Sequence, residues 1–252
     1  METDRERAMD IDNEFYDTLG DDWYDAHDHP IAILRAESEH RNPWVDEQIA
    51  RACHLRSCHV LDIGCGAGFL TNHLAGGGHE VVGLDISTGS IRVARRHDAT
   101  GTVRYVVGDA YGLPFPDGTF HVACCMDVLE HIEEPERLIA EASRVIAPGG
   151  AFIFFTFNRT WFAWLTAVKG LQWFIANAPK NIHVYRLFIK PGELRRYCAA
   201  HGLQMRTSVG FGPGLFSPAT ARMVLTRRVP RTFSFRFTRC MLAGYVGVAT
   251  KR

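Results

Sequence analysis

No stretch of the chain offers the roughly 20 uncharged apolar residues that a bilayer-spanning helix needs. The amino-terminal run METDRERAMDIDNEF is charged and lacks the apolar core of a signal peptide, so the sequence reads as cytosolic. No CxxC pair occurs. The seven cysteines, at 53, 58, 65, 124, 125, 198 and 240, indicate neither a disulfide framework nor a cysteine zinc site, and read as reduced, mostly buried thiols. Internal repeats and low-complexity tracts are lacking too. Acid is nearly absent from the second half: residues 142–252 hold 17 Lys plus Arg against one acid, Glu193, whereas residues 1–141 hold 27 acids against 11 basic residues. Such one-sidedness points to an anionic partner, a membrane surface or a nucleic acid, unless the two halves neutralise each other in the fold. With 252 residues, 46% hydrophobic, the chain can bury one sizeable core, and a single domain over 1–252 is expected.

What is present is alternation. From about residue 58, short apolar runs (HVLDIG, EVVGLDI, VRYVVGD, FHVACCMD, GAFIFFTF) alternate with helical stretches at 69–76, 87–97 and 135–147. This predicts βαβ units on a parallel α/β sheet with helices on both faces. Two further strands are expected near 202–209 and 241–249, after a helix opened by Pro191. Residues 11–56 read as a helical cap broken at His29-Pro30 and Asn42-Pro43. An aromatic segment over 159–190 and an arginine-rich loop over 210–239 exceed what the sheet requires.

The run VLDIGCGAGFL carries Gly64, Gly66 and Gly68, with Asp62 just before them. A strand ending in glycines delivers free backbone N–H groups and lets a ligand approach closely. The spacing G-x-G-x-G after an acid differs from the dinucleotide fingerprint G-x-G-x-x-G, and the acid suits a cationic ligand better than a pyrophosphate. Asp85, with Ile86 beside it, closes the second strand 21 residues after Gly64, where an acid accepts hydrogen bonds from ribose hydroxyls. Asp109 and Ala110 close the third and suit an adenine.

Through VLDIGCGAG, GLDIS, GDAYGLPFPDGTFHVACCMDVLEH and RVIAPGGAFIF, the sequence resembles the class I S-adenosylmethionine-dependent methyltransferases. The resemblance implies a Rossmann-like, seven-stranded, mostly parallel sheet of order 3-2-1-4-5-7-6, with 58–157 as the cofactor-binding core and S-adenosyl-L-methionine as cofactor. Methyl transfer brings an oxygen, nitrogen or carbon nucleophile behind the methyl and needs a base to remove its proton. Asp127, Glu130 and His131 lie at i, i+3 and i+4, one helical face near the sheet's carboxyl edge. His131, with Glu130, is the candidate catalytic group. The same three residue types suit a hard divalent ion such as Mg2+ without excluding zinc, so Asp127, Glu130 and His131 are also a candidate metal site.

A closer resemblance, through FNRTWFAWLTAVKGLQWFIANAPKNIHVYRLFIKPGELRRYCAAHGL, LRAESEHRNPW and GYVGVATKR, is to the ubiquinone-biosynthesis O-methyltransferases. It implies that Arg41 contacts the S-adenosylmethionine carboxylate and that Met126 lies against the adenine. Asp127, where relatives commonly carry glutamate, and the arginine-rich loop depart from the pattern. The implied substrate is a lipophilic, polyprenylated catechol or phenol, with a soluble methyltransferase of a small catechol or polyketide as the alternative.

The aromatic segment supports a greasy substrate independently. Trp161, Trp164, Leu165, Val168, Leu171 and Ile175 recur at helical spacing, and Lys169 is the only charge between Arg159 and Lys180. That pattern fits a helix lying in an anionic membrane interface at the inner face of the membrane, or a buried lid. Nucleic acid is not expected, since no recognised binding motif is present.

Overall fold

The chain is described from a computed structural model over residues 15–53, 57–179 and 181–252. The charged amino terminus, the ends of the 11–56 cap at 11–14 and 54–56, and Lys180 lie outside those residues.

The apolar runs are strands because both faces of the sheet are covered, and doubly buried strands read as near-continuous hydrophobic runs. They are β1 (His59–Ile63), β2 (Glu80–Asp85), β3 (Arg104–Val107), β4 (Phe120–Met126), β5 (Ile146–Phe157), β6 (Leu203–Pro213), β7 (Phe235–Thr238) and β8 (Gly244–Lys251). The order is β3-β2-β1-β4-β5-β8-β6-β7. The first five are parallel, while β8, β6 and β7 add on antiparallel. The expected order holds once β7, a short extra strand on the outer rim, is set aside. It arises inside the arginine-rich segment, which is therefore no loop: it holds the end of β6, a helix over Pro218–Thr226 and β7.

Period-two alternation decides which helices cover which face. Val60, Val122, Ile153 and Val246 point one way, onto Val45, Ile49, Leu70 and Leu74 of α3 (Ile31–Ala52) and α4 (Phe69–Gly76). Leu61, Ile63, Ala123, Phe152 and Phe154 point the other way, onto Leu138, Ile139 and Ala142 of α6 (Pro135–Val145) and Leu194 and Cys198 of α9 (Pro191–Ala200). Each such fully buried aliphatic side chain contributes about 1.5–3 kcal/mol. Between them, α5 (Thr88–Arg96) starts on Ser87, whose hydroxyl accepts from Ser90 N.

The cap is helical as expected, with α1 (Phe15–Thr18) and α2 (Asp22–Asp25) ahead of α3. It is fastened over the β2–α5 junction by Asp17, whose carboxylate accepts from Gly89 N at 2.7 Å and Ser87 Oγ at 2.9 Å. The expected break at Asn42-Pro43 does not occur; α3 runs through Pro43. An internal proline costs about 3 kcal/mol through a lost hydrogen bond and ring clash. Here Pro43 and Glu39 are both exposed, so the carbonyl four residues back faces water. Buried Val45 and Asn42, whose amide donates to Phe69 O at 2.8 Å, hold the helix together across it.

The cysteine reading also needs correction. Cys53, at the end of α3, and Cys58, at the entry to β1, form a disulfide. They are 5 residues apart in sequence with their Cα atoms 6.3 Å apart, inside bonding range, a spacing that a CxxC pattern does not reveal. Cys65, Cys124, Cys125 and Cys198 are free and buried, and Cys240 is free and exposed.

The aromatic segment forms three contiguous helical pieces: α7 (Trp161–Ala163), a π-type stretch over Trp164–Lys169, and α8 (Gly170–Phe174). Its buried stripe is Ala163, Ala167, Leu171 and Ile175, which shares Leu171 and Ile175 with the expected apolar face but turns the tryptophans outward. Trp161 and Trp173 stand 69% and 54% exposed, with Trp164 also exposed. The wider π turn and the small alanines explain the rotation. Ala163 and Ala167 allow close approach to Phe188 and Phe157, which a tryptophan would block. Among the described residues, no helix is long and apolar enough to cross a membrane.

Candidate active site

The carboxyl ends of β1, β2, β3 and β4 open on one cavity of about 850 Å3, at the point where the strand order reverses on either side of β1. Gly64 and Gly66 have φ of +72° and +51°, a region where side chains are strained. A Cβ on Gly64 would lie 2.2 Å from Val128 Cγ2, and one on Gly66 would lie 2.9 Å from the Trp23 ring. The glycines therefore give closeness. Contrary to the expectation of free backbone donors, these are occupied: Gly64 N and Cys65 N both donate to Leu84 O, and Gly66 N donates to Asp85 Oδ2 at 2.8 Å.

That last bond shows how the loop orients its acid. Asp85 accepts from Gly66 N on one oxygen and from Ser87 N on the other, each at 2.8 Å, which leaves further lone pairs on both for a vicinal diol. Burial pushes its pKa up while these two amides pull it down. Asp109 accepts from Tyr111 N at 2.8 Å and lines the cavity with Ala110, Ile86 and Met126. Asp62, Gly64 and Gly66 line it as well, whereas Gly68 stands back as the left-handed cap of α4.

Asp62 is sealed beneath the loop, accepting from Thr71 Oγ1 at 2.7 Å, and burial raises its carboxyl to about 7. The native state thus retains a proton that the unfolded chain has released anywhere between the ordinary aspartate value of 3.8 and about 7. Unfolding free energy contributed by this group falls as pH rises through that window. Asp62→Asn, which keeps an oxygen for Thr71, is expected to gain stability relative to the parent by about 1 kcal/mol per pH unit there. Urea unfolding of both ligand-free proteins at several pH values measures it; a pH-independent gap would show that Asp62 ionises normally.

Around Arg41 the site is densely charged. Its guanidinium is buried, 2.6 Å from Asp127 and 3.3 Å from Glu37, and lies over the Phe155 ring at 4.9 Å. Asp127 adopts φ of +57°, unusual outside glycine. Arg41 is thus held by protein carboxylates, while Nε, also buried, has no hydrogen-bond partner among the described residues. Glu37 was missed from sequence, although its i,i+4 spacing to Arg41 was legible.

The trio Asp127, Glu130 and His131 does not converge. Leu129–His131 forms a 3-10 turn, not a continuing helix. Asp127 faces Arg41, His131 faces the cavity, and Glu130 turns into the core, where Thr156 Oγ1 donates to it at 2.9 Å. Glu130 does not line the cavity, so the expectation that it acts beside His131 is not met by its placement. Burial pushes its carboxyl pKa up, and Asp127 pushes it further. Among the described residues, no three His, Cys, Asp or Glu side chains group as metal ligands. His131 sits with its ring centre 6.0 Å from Tyr16 and 5.2 Å from His183. Burial, and then His183, hold its pKa well below the usual histidine value. At neutral pH it is an uncharged proton acceptor.

Beyond His131 the cavity continues under the aromatic segment, past Leu165, Leu171, Phe174 and Ile182, to Phe211, Met223 and Phe233.

A methyltransferase-domain family model matches residues 61–154. A ubiquinone biosynthesis O-methyltransferase from Azoarcus sp. (strain BH72) is 36% identical over 203 residues, covering 79% of this chain and 81% of that protein. The enzyme of the same name from Thiobacillus denitrificans is 37% identical over 171 residues, 66% and 72% of the two chains. Among solved structures, magnesium protoporphyrin IX methyltransferase from Synechocystis PCC 6803, with S-adenosylhomocysteine bound, superposes with a TM-score of 0.59 at 20% identity, over 88% of this chain and 86% of that one. A Pyrococcus horikoshii OT3 protein superposes with a TM-score of 0.62 at 20% identity, over 95% and 99%. At such identities these two show the fold alone. The three acids at successive strand ends, the glycine turn and the extent of the sequence match agree: this chain is an S-adenosylmethionine-dependent methyltransferase and belongs to the ubiquinone biosynthesis O-methyltransferase family.

Proposed function

We propose that the enzyme methylates a hydroxyl of a prenylated catechol or phenol in ubiquinone biosynthesis, working at an anionic membrane surface. The observation that carries this reading is the continuity of the cavity. Its polar end holds Asp85, Asp109 and Arg41, and its other end is lined by apolar side chains from the aromatic segment and from α10 (Pro218–Thr226). The relatives' name agrees. S-adenosylmethionine supplies a methyl group on a sulfonium. The chain's own part is to hold the ribose on Asp85 and the adenine between Ile86, Asp109, Ala110 and Met126, to place Arg41 near the carboxylate, and to take the acceptor's proton on His131. Accumulation of an unmethylated quinone intermediate, found by mass spectrometry in a strain lacking the protein and cleared by restoring it, is the expected result. A quinone pool left unchanged would turn the assignment to a small soluble catechol or polyketide.

Membrane association has its own support. Trp161, Trp164, Trp173, Phe216 and Leu225 are exposed. Among the described residues, no ion pair neutralises Arg222, Arg228, Arg231, Arg236 or Arg239, and basic residues near anionic lipid contribute about 1 kcal/mol each. Liposomes containing anionic lipid are expected to float the protein at low salt and less at high salt. Trp161→Glu with Trp164→Glu should reduce flotation while a water-soluble catechol is still methylated. Equal flotation of parent and double variant would return the segment to the role of a lid.

A metal-assisted reading has one observation in its favour. Glu130 Oε1 is buried without a hydrogen-bond partner among the described residues, an atom that a hard divalent ion could satisfy, although Asp127 and His131 do not converge on it. The Arg41–Asp127 pair, already cation to carboxylate, stands against it. Activity lost to a chelator and restored by Mg2+ would establish the ion; full activity in chelator would dismiss it.

A further inference from the structure

We propose that His183 is a substrate-specificity residue: its Nε2 accepts a hydrogen bond from the hydroxyl of a vicinal diol that is not methylated, while His131 faces the hydroxyl that is. The inference rests on O-methylation of a phenolic substrate in this cavity.

His183 lies between α8 and α9, in the last part of the aromatic segment, and lines the same cavity as Asp127 and His131. Its Nδ1 is 2.9 Å from Ala167 O. A carbonyl can only accept, so Nδ1 carries the hydrogen, and in the neutral ring Nε2 is left as an acceptor. No described residue hydrogen-bonds that nitrogen. The ring is also pinned in place, with its centre 4.9 Å from that of Phe157 and 6.2 Å from that of Phe188. The carbonyl that fixes the tautomer belongs to the π-type stretch, and irregular turns of that kind recur where a helix serves a site.

With Nδ1 engaged by Ala167 O, His183 presents Nε2 to the substrate as an acceptor beside His131. Hydroxyls on adjacent ring carbons diverge, and two acceptors with ring centres 5.2 Å apart can take one each. A monohydric phenol would satisfy only one, leaving the other buried acceptor without a partner, a loss that rejects analogues lacking a hydroxyl. In the transfer, the hydroxyl oxygen forms its bond to the methyl carbon as the carbon–sulfur bond breaks. The electron pair goes to sulfur, which becomes a neutral thioether, and the hydroxyl proton goes to His131.

The test compares 4-methylcatechol with 4-methylphenol as acceptors, measuring kcat/KM for the parent, His183→Phe and His183→Gln, with S-adenosylmethionine affinity by calorimetry. The parent is expected to favour the catechol. His183→Phe should reduce that preference about tenfold or more, chiefly through the catechol's KM. His183→Gln, whose amide oxygen can accept, should recover most of it, with cofactor affinity unchanged in both. Equal losses on the two acceptors, or a preference that survives His183→Phe, would overturn the assignment. A parent that methylates neither acceptor but does methylate a prenylated catechol would overturn hydroxyl pairing as the source of selectivity, leaving the proposed function standing. A parent inactive on every phenolic acceptor would overturn both.

Discussion

His131→Ala is expected to lower turnover about 100-fold or more while changing S-adenosylmethionine affinity little, because a positioned general base contributes roughly 10²–10⁴. The geometry separates the two effects. His131 ends the 3-10 turn after β4 and lines the cavity beside His183, whereas the groups proposed for ribose and adenine sit at the ends of β2, β3 and β4. Its neighbour Glu130 points into the core, so Glu130→Gln, which can still bond Thr156, should cost far less activity. Single-turnover rates with saturating cofactor make the measurement clean. A near-normal rate for His131→Ala would take that side chain out of the chemistry, and a collapse in cofactor affinity would recast it as a structural prop for Tyr16 and the cap.

Asp85→Ala is expected to weaken S-adenosylmethionine binding by about 2–3 kcal/mol, roughly the value of a charged acceptor lost from buried hydroxyl partners. Calorimetry measures it. Part of the loss arises inside the protein, since Gly66 N and Ser87 N both bond this carboxylate. Asp85→Asn, retaining one acceptor oxygen, should therefore fall between parent and alanine. Affinity unchanged with the fold intact would mean that Asp85 organises the loop and meets no ribose.

The half of the cavity built from the glycine turn and the acids at the strand ends was legible because its signals are local. Gly64 and Gly66 must be glycine for reasons their own φ and neighbours dictate, and Asp85 and Asp109 announce themselves by ending apolar runs. The half under the aromatic segment was not. His183 sits in NIHVY, which has no period or spacing to mark it, and it reaches the cavity only because the aromatic segment folds back to offer Ala167 O. The same non-locality hid the inward rotation of Ala163 and Ala167, since the hydrophobic spacing of the segment is satisfied equally by turning the tryptophans in or out. Proline at 43 misled for the opposite reason: a strong local rule yielded to packing on the side of α3 that faces away from it. The fold class survived all of this because β1, β2, β4 and β5 are too apolar to be anywhere but the middle of a covered sheet.

The two rims of that sheet matter for a different property. β3 at one end and β7 at the other have 4 residues each, and each carries an arginine, Arg104 and Arg236. An open strand is a template on which another chain can add its own backbone, and short, charged rims are how natural sheets discourage it. Of the long strands, β5 with 12 residues is enclosed between β4 and β8, whereas β6 with 11 is covered by β7 only over Gly210–Pro213, so its first half, which carries Arg206, belongs to the rim as well. A protein crowded at high local density would be in most danger of growing sheet upon sheet, and each stretch of rim among the described strands meets a newcomer with a repelling cation, Arg104, Arg206 or Arg236.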